Sequence, residues 1–445
     1  MKHLRLALLA VAALALVVIG WIVLGPGPLS FAGGSRVALS DYKGADPTGA
    51  PAGLKNAGLI ARGEYLARAA DCEACHSLKG AAPFSGGLAF NLPFGTLYSP
   101  NITTDNETGI GRWSDADFLK AIHQGIAPDG TRLYPAFPYA AYTMMTDADA
   151  LAIKAYLFSL PAVRAPMPAD TLAFPFNQRW LMAFWSAFFN PDRRFEPNTA
   201  QSPEWNRGAY LAEALAHCGE CHTPRNLPQA LDNRRKFAGA VAAGWKAYNI
   251  TQDKDSGIGS WNDETLAHFL SAGHAAGYGT ASGPMGEAVD KSLRYLAPED
   301  IKAIAVYLRS VPPISDPALP APKAAPAPVS PRAGVAQAKA GGGAIFAGAC
   351  ASCHGWTGAS PILSYATFTG SRAVNDPSAR NVAQAIVWGV TRQTADGPVT
   401  MPAFGHAYSD VEIAAVANYV TARFGAAPSS ITAAQVAELR RQASQ

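Results

Sequence analysis

All six cysteines of the chain fall in three Cys-x-x-Cys-His pentads, Cys72 to His76, Cys218 to His222 and Cys350 to His354. Two thiols at this spacing on a helical turn can each add across one vinyl group of haem, and the adjacent His then reaches the iron from the proximal side. A Cys-x-x-Cys pair also serves structural zinc and redox dithiols. A His directly after every pair, with no cysteine left over, favours covalent haem and argues against a disulfide framework. The reading is three covalent haem c groups, bound through Cys72, Cys75, Cys218, Cys221, Cys350 and Cys353, with His76, His222 and His354 as iron ligands.

A haem that only passes electrons is closed by a second axial ligand, and a Met thioether there raises the potential relative to a second His. Met401 lies downstream of the third pentad, just before the last apolar helix, where a loop can swing across the distal face. Met285, in Gly283-Pro-Met-Gly286, holds the comparable place after the second. The loop after the first pentad reads Tyr134-Pro-Ala-Phe-Pro-Tyr139 and contains no Met; Met144 and Met145 follow, immediately before Thr146-Asp147. Met145 is the chosen ligand, with Met144 as its alternative and His123 as a rival inside a predicted helix. His268, His274 and His406 read as packed or solvated. No catalytic residue is assigned.

The elements that must hold these groups repeat. Asn101-Ile-Thr-Thr-Asp105 is answered by Asn249-Ile-Thr-Gln-Asp253, and Gly109-Ile-Gly-Arg-Trp113 by Gly257-Ile-Gly-Ser-Trp261, so the first two haem segments are a duplication. Each loop runs into a polar residue and an acidic one, as at a helix N-terminus, and the apolar period that follows ends at Gly125 or Gly273. The loop Trp either donates to a haem propionate or packs the turn. A helical signal precedes each pentad, at Arg62-Gly-Glu-Tyr-Leu66, Arg207-Gly-Ala-Tyr-Leu211 and Gly343-Ala-Ile-Phe346. An apolar helix closes each segment, at Ala148 to Leu160, Pro298 to Val311 and Asp410 to Phe424.

The fold class expected is all-α, three tandem haem domains behind an N-terminal membrane anchor. The boundaries read as an anchor at 1–30, domain one at 55–165, an aromatic-rich linker at 166–200, domain two at 201–312, a Pro/Ala linker at 313–340, domain three at 341–427 and a tail at 428–445. The anchor reading comes from Lys2 and Arg5 ahead of the apolar run Leu6 to Leu24, followed by Gly-Pro-Gly-Pro rather than a clear signal cleavage site. It places the haem domains in the periplasm, on the outer side of the bacterial inner membrane. The Pro/Ala linker lets domain three move, or leaves it to dock through other contacts. The aromatic stretch Phe174 to Phe189 reads either as a buried bridge or as an interfacial helix touching membrane or partner. The formal charge of +3, with 36 Lys and Arg against 33 Asp and Glu, gives nucleic acid no support.

These residues resemble a known family, the three-haem cytochrome c subunits of bacterial membrane-bound dehydrogenases that oxidise alcohols, gluconate, fructose or aldehydes. Its carriers are Cys218-Gly-Glu-Cys-His-Thr-Pro-Arg-Asn226, the paired Asn-Ile-Thr and Gly-Ile-Gly-x-Trp loops, Gly283-Pro-Met-Gly286 and Thr400-Met-Pro-Ala-Phe404. The resemblance implies class I cytochrome c domains, in which the first and last helices pack together. It also implies a separate catalytic subunit of flavin, quinoprotein or molybdenum type, and delivery of electrons to ubiquinone or a terminal oxidase. Members commonly carry Met where this chain has Phe137, and similar sequences with Phe there often carry a Met just before the helix, as Met145 is. Arg225 then either binds a propionate or packs the turn. The chain shows no dinucleotide fingerprint, no Ser/His/Asp order and no quinoprotein propeller pattern, so it is not expected to catalyse oxidation alone. A haem peroxidase and a cytochrome subunit of a respiratory oxidase are the competing readings.

Overall fold

A computed structural model describes residues 2–54, 56–323 and 341–442. Most of the Pro/Ala linker read at 313–340 lies outside the described residues. After an N-terminal helix α1 (Lys2–Val23), each pentad occupies the same local arrangement. The helix before it is α2 (Leu59–Ala69), α8 (Pro203–Ala209, continued by a π turn at Tyr210–Leu215) or α13 (Gly341–Ile345, continued by a π turn at Phe346–Cys350). The pentads form short helices, α3 (Cys72–His76), α9 (Gly219–His222) and α14 (Ala351–His354). A middle helix follows, α4 (Asp115–Gln124), α10 (Asp263–Ala272) or α15 (Arg380–Trp388). The closing helix is α6 (Asp147–Ser159), α12 (Pro298–Arg309) or α16 (Asp410–Phe424).

The first and closing helices cross at a glycine in all three cases. A Cβ on Gly63 would overlap the carbonyl oxygen of Ala152, one on Gly208 that of Ala303, and one on Gly342 that of Ala415. The backbones touch, which only glycine permits. The third crossing glycine is thus Gly342, one residue before the helical signal read from the sequence. Domain two has one residue more between its glycine and first cysteine than domain one, and the π turn takes up the extra residue.

The helix boundaries follow from their caps. Ser114 accepts from the Asp117 N–H while Asp117 accepts from Ser114, and Ser409 and Glu412 repeat this reciprocal box. Gly125 and Gly273 end α4 and α10 in the left-handed conformation, at φ 64° and 71°. Asn101 and Asn249 fix the duplicated loops. Each donates to a carbonyl beyond the closing helix, Val163 at 2.7 Å and Ile314 at 2.6 Å.

Among the described residues the fold is mostly helical, as expected, with small hairpins added. Four two-stranded antiparallel hairpins are present: β1 (Ala89–Leu92) with β2 (Gly95–Tyr98), β3 (Ala240–Ala242) with β4 (Trp245–Ala247), β5 (His274–Ala275) with β6 (Gly279–Thr280), and β7 (Val390–Thr394) with β8 (Gly397–Met401). They arise from tight turns that a helix-period search passes over. Between β3 and β4, for example, Ala243 and Gly244 both have positive φ, the geometry of a two-residue hairpin turn. The tail also carries a helix, α17 (Ala433–Gln442), packed on α15 and α16 with Val436 and Leu439 buried.

The apolar interior falls into two bodies. One contains buried side chains of both duplicated domains together with Leu29 from the segment after α1, and the other belongs to the third domain alone. The shared body is stitched by a reciprocal pair of bonds. Tyr65 of α2 donates to Asp300 of α12 at 2.6 Å, and the equivalent Tyr210 donates back to Asp149 of α6 at 2.5 Å. Asp300 also accepts both arms of Arg207, at 2.8 and 2.6 Å.

We expect Gly342→Val to destabilise the third domain by about 1–3 kcal/mol or more, the usual cost of overpacking. Gly348→Ala, where an added Cβ meets open space, should be neutral or stabilising. Thermal unfolding followed by circular dichroism checks both.

Candidate haem sites and their packing

Each pentad His is aimed by its own backbone. Nδ1 of His76 lies 2.8 Å from the Pro100 carbonyl oxygen, that of His222 2.6 Å from Tyr248 and that of His354 2.6 Å from Ala366. A carbonyl only accepts, so each Nδ1 carries the proton and donates it. Burial also pushes all three imidazoles below their ordinary pKa, against the raising effect of that bond. The neutral ring therefore keeps its Nε2 lone pair free, the form a metal takes.

The thiols fit the same group. All six cysteines are free of disulfides. Burial pushes Cys72, Cys75 and Cys218 up to about 12, and Cys221 and Cys350 up to about 11. Among the described residues no three His, Cys, Asp or Glu side chains converge as a metal cage would need. The donor set of each pentad fits covalent haem with one imidazole on the iron. When bound, haem supplies reversible one-electron oxidation and reduction.

The candidate sixth ligands are placed unevenly. Met145 is buried at 1% exposure, whereas Met144 is half-buried and its carbonyl accepts from Phe195 at 2.9 Å. Met285 does not lie in a loop: it sits in the first turn of α11 (Gly283–Lys291), because Pro284 starts a helix there. Met401 is likewise the last residue of β8, paired with Val390. Both are half-buried, Met285 against the shared core and Met401 against that of the third domain. His123 is buried in α4 with Nδ1 3.7 Å from Asp147, and burial together with nearby Arg194 lowers it to about 4. His274 stacks on Tyr365 at 4.3 Å. Trp261 packs against Phe269 and Tyr278, and Arg225 bonds Glu220 and the Gln229 carbonyl.

The three sites are brought together by contacts that the motifs do not announce. Tyr142 donates to the Ala70 carbonyl at 2.6 Å, two residues before Cys72, and its ring meets His217, next to Cys218, edge-on at 5.5 Å. Helix α11 packs on α3, where Lys291 donates to the Ser77 carbonyl at 3.4 Å. On its other side α11 receives Arg392 of β7, which is 1% exposed and donates to Gly286 at 2.5 Å and Asp290 at 2.9 Å. Asn381 of α15 both accepts from the Lys246 N–H at 2.8 Å and donates to its carbonyl at 2.9 Å. Tyr248, whose carbonyl holds His222, donates through its hydroxyl to Asp376 at 3.3 Å. Tyr365, beside the carbonyl that holds His354, accepts from Thr280 at 3.1 Å. The third segment is thus docked on the second both at Lys246 and Tyr248, beside the carbonyl that holds His222, and at α11. The described part of the linker docks as well: Leu319 is buried and the Lys323 N–H donates to Asn375.

Comparison with known proteins agrees with this architecture. Residues 60–161 match the family described as cytochrome c, and residues 337–420 match cytochrome c oxidase, cbb3-type, subunit III. The fructose dehydrogenase cytochrome subunit of Gluconobacter japonicus is 38% identical over 401 residues, 86% of this chain and 82% of the relative. The gluconate 2-dehydrogenase cytochrome c subunit of Pantoea cypripedii is 38% identical over 412 residues, 87% and 90% of the two chains. The chain belongs to the family of dehydrogenase cytochrome c subunits. A nicotinate dehydrogenase polypeptide of Pseudomonas putida is 39% identical over 381 residues, 84% of this chain, but the match spans only 31% of that longer protein. Membership carries covalent haem c and electron transfer with it.

Sequence reasoning finds the pentads but misses Tyr142, Asn381 and Arg392. Arg392, an arginine flanked by polar residues in a short strand, gives no sign of burial until its partners on α11 are known. We expect Arg392→Ala to weaken docking of the third domain by about 1–3 kcal/mol, the cost of stranding buried polar partners. Small-angle scattering should report an enlarged radius of gyration, with unfolding of the first two domains unchanged.

Proposed function

We propose that the chain is a three-haem relay, taking electrons from a separate catalytic dehydrogenase subunit and passing them to ubiquinone or a terminal oxidase. The observation that carries the reading is the threefold recurrence of one construction: two thiols free of disulfides followed by a His whose Nδ1 is spent on a backbone carbonyl. In this reading His76, His222 and His354 are the proximal ligands, and Met145, Met285 and Met401 close the distal side. Burial of Met145 favours it over Met144. The chain binds, orients and shields the groups. No residue is asked to move a proton or form a bond with substrate. The catalytic partner and its substrate class are carried over from the names of the relatives alone.

The anchor belongs to the same proposal. Among the described residues no helix is long and apolar enough to cross a membrane, and the side chains of Lys2, Leu4, Ala7 and Leu8 fall outside that description. Supporting an anchor, α1 runs 22 residues, about 33 Å of helix. It also exposes Leu9, Val11, Leu14, Leu16 and Ile19. Periplasmic placement of the domains follows from Lys2 and Arg5 on the inner side.

Purification from membranes in mild detergent should recover a catalytic subunit together with three haem c per chain, counted as the pyridine haemochrome. The double variant Cys350→Ser, Cys353→Ser should lower that count to two. A lone protein with peroxide turnover would sink the relay. Met145→Ala should weaken the long-wavelength charge-transfer band of thioether-ligated ferric haem, which Met144→Ala should leave intact.

A further inference from the structure

We propose that helix α7 (Met182–Phe189) and the chain leading into it form a second membrane contact, lying in the bilayer surface beside the end of α1. The inference rests on the reading of α1 as the anchor. Five aromatic side chains of this segment are exposed, Phe174 at 78%, Trp180 and Phe184 at 60%, Phe188 at 58% and Phe176 at 42%. The opposite face is already filled. The Trp185 indole donates to the Pro228 carbonyl at 2.9 Å and meets the Tyr139 ring edge-on at 5.9 Å, and the Ser186 hydroxyl lies 3.2 Å from that of Tyr139. The helix therefore serves as a bridge on its inner face while its outer face is apolar, the reverse of a water-facing helix.

What covers that face is indicated by its neighbour. Pro228 belongs to the loop after the second pentad, closed by the bridge between Arg225 and Leu231, and Leu227 beside it is 85% exposed. The same stretch of chain continues to Arg234, whose guanidinium lies 3.9 Å from the Trp21 ring centroid and donates to the Trp21 carbonyl. One segment, 225–235, thus holds the outer end of α1 at one point and α7 at another. The exposed aliphatic side chains of α1 and the exposed aromatic side chains of α7 thus belong to two elements held by the same segment. Arg179 and Arg234 are paired with Asp170 and Asp232, while Arg235 is exposed, a cation suited to lipid phosphate. Aliphatic side chains across the hydrocarbon, with aromatic rings and arginine at the headgroup level, match the depth profile of a bilayer. The occupant inferred is an anionic phospholipid surface.

The test uses full-length holoprotein in vesicles of phosphatidylethanolamine and phosphatidylglycerol whose acyl chains carry a photoreactive diazirine. After illumination, labelled peptides are mapped by mass spectrometry. Label is expected on residues 174–189 and on the Leu227 loop as well as on α1. The double variant Phe184→Ser, Phe188→Ser should lose label from 174–189 while haem content and label on α1 are unchanged. Label on α1 alone, the pattern expected if another protein covers α7, overturns this inference and leaves the anchor standing. Label on neither overturns both.

Discussion

Each pentad segment depends on one crossing of two helices with no side chain between them. At Gly63, Gly208 and Gly342 the first helix lies directly on a carbonyl of the closing helix, so the two cannot slide or rotate without collision. The pentad follows closely, after a left-handed residue at Asp71 or His217 in the first two cases and without a break in the third. The closing helix is held in turn by the loop asparagines, which bond carbonyls just beyond its end in the first two domains. The aiming of each imidazole therefore draws on both sides of the pentad: a rigid crossing ahead of it, and a carbonyl from the following loop that sets the ring.

The arrangement of the three sites depends on a different element. Helix α11 carries Met285, packs on the first pentad and receives the buried Arg392 of the third domain. Every domain thus contacts the distal segment of the second. The first two domains also share an apolar interior and exchange tyrosine–aspartate bonds across a pseudo-twofold relation. The third keeps its own interior and joins through polar contacts, several of which touch residues adjoining the carbonyls that orient His222 and His354. Such an arrangement seats a folded module beside another without merging their cores.

Much of this is legible in the residues. Pentads, duplicated loops, capping residues and closing helices all have local signals, because each depends on neighbours in sequence. The crossing glycine of domain three reads one position out, because Gly341, Gly342 and Gly343 are adjacent and only contact with Ala415 distinguishes them. The hairpins escape notice because strands of two to five residues have too little period to register. Met285 and Met401 read as loop residues, while Pro284 and the β7–β8 turn convert their surroundings into helix and strand. Arg392, Asn381 and Tyr142 are illegible for a deeper reason: their partners are distant in sequence and mostly backbone, which leaves no complementary residue to detect.

That last point bears on how such a chain can diverge. Asn381 holds domain three by reading both the N–H and the carbonyl of Lys246, as a neighbouring strand would. Since Asn381 recognises the peptide rather than the side chain, these two bonds tolerate any residue at 246 except proline, while the Lys246 ammonium adds a separate ion pair to Asp376 at 3.8 Å. A backbone-reading contact of this kind leaves little trace in sequence, so this part of the joint could outlast changes in the residues around it.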